Sequence, residues 1–178
     1  KTIETINTII NDDIFYEGVF VNLSKTDMTK IAANLFSENK NLSSIELPES
    51  IASIGNSAFS NAKNLTAINF PSVLNEIGDG AFYGCLNLQE VNLEYTQIKT
   101  ISQQSFDGCS KLAKVILPNG LLTIGEKAFN NCESLTAINF PSTLTEIANY
   151  AFSSCINLQE VDLSYTQIKT IYSVYFDG

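Results

Sequence analysis

Residues 81–93 read Ala-Phe-Tyr-Gly-Cys-Leu-Asn-Leu-Gln-Glu-Val-Asn-Leu, and variants of this stretch recur along almost the whole chain. Phenylalanine marks the recurrence, and the spacing between one marker and the next is nearly constant. Self-similarity at a short fixed period indicates a solenoid, in which each unit forms one coil and buries its apolar side chains against its neighbours. The recurring phenylalanines are Phe36, Phe59, Phe82, Phe106, Phe129, Phe152 and Phe176.

The other apolar residues keep the same register as the phenylalanines. A leucine follows six residues after each of the first six, and a β-branched residue follows nine residues after. In the unit at residues 88–93, Val91 and Leu93 alternate with polar residues, which is the period of a strand with one buried face. Coils stacked about 4.8 Å apart would align such strands as a parallel sheet. The spacing of Ala81, Phe82 and Cys85 predicts one inward-facing helical turn.

A longer period lies on top of the short one. The segment at residues 65–101 reappears at residues 135–171, with 27 of the 37 aligned positions identical. The same offset, which equals three repeat units, carries Val21-Asn22-Leu23 onto Val91-Asn92-Leu93. Two unit types have proline after the strand, whereas the third is one residue longer and carries Tyr-Thr-Gln-Ile there.

The recurring pattern Ala-Phe-x-x-Cys-x-x-Leu-x-x-Ile-x-Leu-Pro resembles the BspA-type leucine-rich repeat. The cleanest match is residues 128–135, preceded by Leu117-Pro118 and Ile124-Gly125, and the resemblance covers residues 21–178. It implies a leucine-rich-repeat solenoid with right-handed coils of about 23–24 residues each. A parallel β-sheet would form one face, and short helical turns and irregular segments the other.

The two ends of the chain leave the repeat pattern. Residues 1–20 are out of register, and their isoleucines predict an apolar-backed N-terminal cap over the first coil. Residues 21–178 then form the solenoid, with about six full repeats. The last unit stops just before its expected cysteine, so we expect C-terminal truncation, and an open edge there would invite self-association.

Composition excludes several classes of function. The chain has 10 lysines, no arginine, no histidine and a formal net charge of −9. Nucleic acid is therefore not an expected partner, because affinity for a polyanion comes mainly from basic residues. A Ser-His-Asp triad, a histidine metal ligand and an imidazole base are all impossible.

The cysteines and carboxylates are the remaining candidates for chemistry. The four cysteines fall at one repeat position, where Ala62 also stands. Because alanine cannot replace a bridge partner, we expect free, buried thiols rather than disulfides or a metal site. No carboxylate differs from its repeat equivalents, as an active site normally would. We therefore predict no catalytic residues, no metal, no cofactor and no enzymatic activity.

The strand face is the candidate binding site, because residues between the buried strand positions point outward. Stacked strands of this kind form the extended surface on which solenoids usually bind ligands. Tyr95 and Tyr165 lie just past the strands and are possible contact anchors, although covering the turn of the longer unit is an equal alternative. The predicted face residues are Glu46, Asn69, Glu90, Asn92, Glu94, Lys114, Ile116, Asn139, Glu160 and Asp162.

The family resemblance implies a location and a role. Similar proteins occur on the surfaces of bacteria and parasitic protists, so we expect a cell-surface or extracellular location. The resemblance implies adhesion through a host protein or extracellular-matrix ligand such as fibronectin. The alternative is a structural spacer that displays another domain and has no ligand of its own.

Overall fold

A computed structural model describes residues 18–170 of the chain. It is a parallel β-solenoid of about six turns, which confirms the predicted fold class. Most of the predicted cap and the whole C-terminal edge lie outside the described residues. The strands are β1 Val19–Asn22, β2 Lys30–Ile31, β3 Leu42–Glu46, β4 Ser53–Ile54, β5 Ala67–Ile68, β6 Glu76–Ile77, β7 Glu90–Asn92, β8 Thr100–Ile101, β9 Lys114–Ile116, β10 Thr123–Ile124 and β11 Glu146–Ile147.

Most coils contribute to two parallel ladders rather than one. The predicted strand face consists of β1, β3 and β5, then β7 and β9, then a single bridge between Ala137 and Glu160. The second ladder consists of β2, β4 and β6, then β8, β10 and β11. It was not predicted, because its strands are only two residues long and their sequences show no alternation.

The predicted helical turns are wrong in detail: no helix occurs anywhere in residues 18–170, and hence none that could cross a membrane. Ser57 and Asn61 have positive φ angles of 53° and 56°. Their N–H groups bond to carbonyls of the next coil, whereas those of Ala58 and Ser60 bond three residues back. Alternate N–H groups therefore bond within the coil and to the next coil, which makes this segment a series of tight turns. In an α-helix all of these N–H groups would bond within one coil.

The phenylalanines form the centre of the core. Phe36, Phe59, Phe82, Phe106, Phe129 and Phe152 are buried, and consecutive ring centroids lie 5.1 to 5.4 Å apart. Their planes are within 12° of parallel. The buried leucine and isoleucine positions surround this stack. Packing between coils therefore supplies the core that no single coil could form.

The four cysteines are free and buried, as predicted. Each thiol donates a weak hydrogen bond to the carbonyl of the phenylalanine in the preceding coil, with sulfur-to-oxygen distances from 3.1 to 3.3 Å. Burial raises the pKa of all four thiols, that of Cys155 to about 11. These cysteines are packing residues with one local hydrogen bond each.

The longer unit absorbs its extra residue without disturbing the core. Gln97 follows the turn that closes at Thr96, and its N–H donates to the Leu74 carbonyl of the preceding coil at 2.8 Å. Its side-chain amide donates to the Ser72 carbonyl at 3.4 Å. Gln167 makes the equivalent bonds in the second copy of this unit. The inserted residue thus joins the inter-coil hydrogen bonds, and the apolar positions on either side stay aligned.

Replacing Phe106 with alanine should lower the free energy of unfolding by about 3–5 kcal/mol, because it opens a cavity between two stacked rings. Urea denaturation followed by circular dichroism measures this loss. Tyr95→Ala is the control, since Tyr95 is 71% exposed and its loss should change stability by less than about 0.5 kcal/mol. Equal stabilities of the two variants would contradict the stacked core.

A thiol reagent at pH 8 should leave the native protein almost unmodified and should modify four cysteines in denaturant. The reason is that the thiolate is the reactive form, and burial both raises the thiol pKa and blocks access. As the pH is raised, Cys155 should react first, because its pKa rises least. Fast reaction of Cys109 in the native state, or fewer than four thiols in denaturant, would contradict this description.

Candidate binding face

The outward side chains of the strand face lie where the repeat register predicts them. Nearly all of the predicted residues are exposed, whereas Ile116 and Asn69 are half-buried. The register predicts that Ile116 points outward, and it is half-buried in a groove that it lines with Glu94 and Asn139 of the adjacent coils. The strand face is mostly polar, with apolar side chains at Phe20 on β1 and at places where coils separate.

The first separation lies between β5 and β7, which no ladder joins. β5 ends at Ile68, one repeat position earlier than β3, β7 and β9 end. The resulting groove, of about 520 Å³, is lined by Ile68, Glu90, Asn92 and Lys114 among others. We call it groove 1. It brings together three of the predicted residues.

Glu90 and Lys114 form an ion pair across β7 and β9. The Lys114 Nζ lies 2.7 Å from Glu90 Oε1, and both side chains are about half exposed. An exposed pair of this kind adds little stability. It fixes instead the position of one negative and one positive charge at the edge of groove 1.

A second groove, groove 2, opens where β9 and the next coil are not joined. Its volume is about 210 Å³, and its walls include Glu94, Ile116, Asn139 and Phe140. Three further predicted residues thus meet here. The two grooves are adjacent along the solenoid, because Lys114 lines the first and Ile116 lines the second.

Asn69 is a structural residue. Its side-chain oxygen accepts a hydrogen bond from the Leu47 N–H at 2.6 Å, and its amide donates to the Leu47 carbonyl at 3.0 Å. These bonds replace main-chain pairing at a position where the strand has ended. Asn69 therefore has a structural role in addition to its half-buried position on the predicted binding face.

Asn92 and Asp162 have a structural role as well as an exposed position. The Asn92 oxygen accepts the Glu94 N–H at 3.0 Å, and Asp162 accepts the Ser164 N–H at 2.9 Å. Hydrogen bonds from Ser164 also hold the pKa of Asp162 below its usual value. Asn22 forms the same turn at the first copy of the longer period. These side chains shape the turn that follows each long unit's strand.

Tyr95 and Tyr165 project from these turns and are 71% and 78% exposed. In each turn, the threonine that follows the tyrosine closes the loop. Thr96 bonds back to Leu93 through its N–H at 3.0 Å and its hydroxyl at 2.8 Å. The exposure of both rings argues against the alternative that they cover the turn.

The other predicted residues are not in the grooves. Glu46 accepts a hydrogen bond from the Asn22 side chain at 2.7 Å. Glu160 lies in the last bridge of the face, opposite Ala137. Neither residue lines groove 1 or groove 2.

Two features of the surface were not predicted. Phe20 is 56% exposed on β1. The longer period places Phe20 at the position of Glu90, and this correspondence could have predicted that Phe20 points outward. A cleft of about 550 Å³ lies away from the strand face, lined by Glu38, Lys40, Asn61, Lys63 and Asn64. The spacing of Lys40 and Lys63 by one repeat was its only sequence signal.

The described residues include one carboxyl with a perturbed pKa, that of Asp162, and no cluster of metal-binding side chains. Within residues 18–170, no group of three or more histidine, cysteine, aspartate or glutamate side chains could hold a metal ion. The lowered pKa of Asp162 has a local hydrogen-bond cause. The geometry can provide non-covalent contacts through charge, amides and aromatic rings.

The repeat pattern and the solenoid geometry agree with a known family. The profile of the BspA-type leucine-rich repeat region matches residues 2–112 and 76–178, with six copies. The chain belongs to the BspA-type leucine-rich repeat family. No curated protein has a sequence that matches it.

Solved structures similar to this chain include bacterial leucine-rich repeat proteins. The protein TpLRR of T. pallidum has a TM-score of 0.67 and 27% identity, over 80% of this chain and 79% of that one. A leucine-rich repeat protein from Eubacterium ventriosum has a TM-score of 0.65 and 26% identity, over 86% of this chain and 46% of that one. A leucine rich cell surface protein from Faecalibacterium prausnitzii has a TM-score of 0.55 and 24% identity, over 79% and 46%. The chain therefore spans less than half the length of the last two.

Asn69→Ala should destabilise this BspA-type solenoid by about 1–3 kcal/mol, because it leaves the main-chain groups of the buried Leu47 without partners. Asn139→Ala is the matched control. Asn139 occupies the same position in the duplicated unit, and no side-chain bond of this kind is seen for it within residues 18–170. Urea denaturation of both variants measures the difference. Equal losses would contradict the structural role of Asn69.

Proposed function

We propose that this chain is a cell-surface adhesion module that binds a host protein or extracellular-matrix ligand, such as fibronectin, through its strand face. One observation carries the proposal. Six of the residues expected on the binding face line two adjacent grooves, at the places where the parallel ladder of that face is open.

The chemistry of the grooves suits a protein ligand. Groove 1 offers a carboxylate, an ammonium group and an amide beside the apolar surface of Ile68. Groove 2 places Phe140 and Ile116 beside Glu94 and Asn139. Apolar surface surrounded by polar groups is the usual composition of a protein–protein interface. The two grooves are adjacent along the solenoid, so they favour an extended ligand that contacts both.

Family membership supports the location. The BspA-type repeat matches most of the chain, and one solved protein of the same fold is a leucine rich cell surface protein. We extend that location to this chain as part of the proposal. The spacer alternative shares the location but requires no ligand.

Binding to immobilised fibronectin and to epithelial cells tests the proposal. The strand-face variant is Glu90→Ala/Lys114→Ala/Ile116→Ser, which removes both partners of the ion pair and leaves the net charge unchanged. Asn92 stays, because it holds the turn at Glu94. We expect the variant to bind at least about tenfold more weakly, because loss of one central hot-spot contact costs about 2 kcal/mol or more and a tenfold change in affinity corresponds to about 1.4 kcal/mol.

The matched control is Lys63→Ala/Glu133→Ala/Leu122→Ser. It also removes one charge of each sign and one apolar side chain, at exposed positions away from the strand face. Its affinity should stay within about twofold of the parent, and both variants should unfold at similar urea concentrations. Equal weakening by both variants would reject the strand-face site. Failure of the parent chain to bind either target would favour the spacer.

A further inference from the structure

We propose that the ligand of the strand face is a cationic protein segment whose lysine or arginine side chains contact the Tyr95 and Tyr165 turns. This inference rests on the proposed function, because it assumes that the strand face binds a protein. It adds the chemistry of the ligand and the spacing of its charged residues.

The two turns hold their tyrosines in the same way. Thr96 and Thr166 each bond back to the leucine three residues before, with hydroxyl-to-carbonyl distances of 2.8 Å. Gln97 and Gln167 then donate their N–H groups to the preceding coil at 2.8 Å. Both rings are more than two-thirds exposed. The chain therefore presents one aromatic ring twice, on turns with the same hydrogen bonds.

Each tyrosine follows two carboxylates within five residues of sequence, although their positions differ between the copies. In the first copy they are Glu90 and Glu94, and in the second they are Glu160 and Asp162. Asp162 stands at the position of Asn92, and Ser164 stands at the position of Glu94. The number of carboxylates before each tyrosine is therefore two in both copies. All four carboxylates are on exposed residues. Lys114, which pairs with Glu90, is the one lysine among the predicted face residues.

An exposed tyrosine beside carboxylates favours a lysine or arginine of the ligand. The face of the ring attracts a cation through its quadrupole, and the carboxylates add a direct charge interaction. The predicted residues of the strand face include five carboxylates, at Glu46, Glu90, Glu94, Glu160 and Asp162, against the single Lys114. Charge complementarity thus selects a basic segment and disfavours an acidic one.

The spacing of the two turns defines the spacing on the ligand. They are three coils apart, which corresponds to roughly 15 Å at the usual separation of parallel strands. An extended polypeptide rises about 3.4 Å per residue, so two basic residues four positions apart would span this distance. Residues separated by four positions also lie on the same side of an extended chain.

The turn at residues 22–26, three repeats before the Tyr95 turn, provides a natural comparison. It has the same Asn22 and Thr26 hydrogen bonds, yet Lys25 stands at the tyrosine position and Ser24 at the position of Glu94. The turn is built, but it has neither the ring nor the carboxylate. It should therefore not contact a basic side chain.

The test uses three synthetic peptides built on serine and threonine, with binding followed by fluorescence anisotropy. The first has arginines at positions i and i+4, the second has arginines at i, i+4 and i+8, and the third has glutamates in place of the arginines. The parent chain should bind both arginine peptides and not the glutamate peptide. Raising the salt tenfold, from about 50 to about 500 mM, should weaken binding by at least about fivefold.

Tyr95→Ala/Tyr165→Ala should weaken binding of the two-arginine peptide by at least about fivefold, whereas Tyr95→Phe/Tyr165→Phe should retain it, because the ring supplies the interaction.

Ser24→Glu/Lys25→Tyr should strengthen binding of the three-arginine peptide by about threefold or more, because it adds a third contact. The affinity for the two-arginine peptide should change by less than about twofold. Lys63→Ala is the control for an unrelated exposed change.

Several results would overturn the inference. These are equal binding of the glutamate peptide, no effect of the tyrosine-to-alanine changes, or salt-insensitive binding of a neutral polysaccharide that is lost in the same variant. If fibronectin binding falls in the Glu90/Lys114/Ile116 variant but not in the tyrosine variant, the proposed function stands and this inference fails. If the arginine peptides bind through the tyrosines while fibronectin does not bind, the inference stands and the proposed matrix ligand is wrong.

Discussion

Each coil of this solenoid must place its phenylalanine directly over the phenylalanine of the coil before it. The rings lie 5.1 to 5.4 Å apart and nearly parallel, so a coil that changed length inside the core would misalign every buried position. The one added residue of the longer unit is accordingly taken up outside the core, by Gln97 and its bonds to the preceding coil. The same constraint leaves the turn before Gln97 free to project Tyr95 from the surface.

The turn side of each coil meets this constraint at a conformational cost. Nine described residues other than glycine have positive φ angles. This conformation raises the free energy by roughly 1–2 kcal/mol per residue, because the β-carbon crowds the backbone. Three of the nine are asparagines, whereas Lys127 and Tyr150 show that other residues are tolerated. What offsets the cost is the inter-coil hydrogen bond that most of these N–H groups donate, as Lys127 does to the Asn149 carbonyl.

Sequence periodicity was enough to predict the buried positions and the free cysteines, because both depend only on which residues recur in register. It could not distinguish a helical turn from repeated tight turns, since the spacing of Ala81, Phe82 and Cys85 suits both. It also could not separate Asn69 from Asn139, which have identical local sequences but different bonds. That difference arises from how far neighbouring coils separate, which is a property of the stack and not of one unit.

Comparison of the duplicated segments, residues 65–101 and 135–171, shows at which positions packing does not determine the residue type. Seven of the ten positions at which they differ are exposed in the first copy, and the remaining three are glycines there. No buried apolar side chain differs in kind between the copies, because each is packed between the coils above and below.

Function must therefore be sought among exposed positions, and most of those are free to vary. Retention of two carboxylates before each exposed tyrosine, Glu90 and Glu94 in one copy and Glu160 and Asp162 in the other, is a pattern that packing does not explain. A surface requirement for an aromatic ring beside negative charge does explain it.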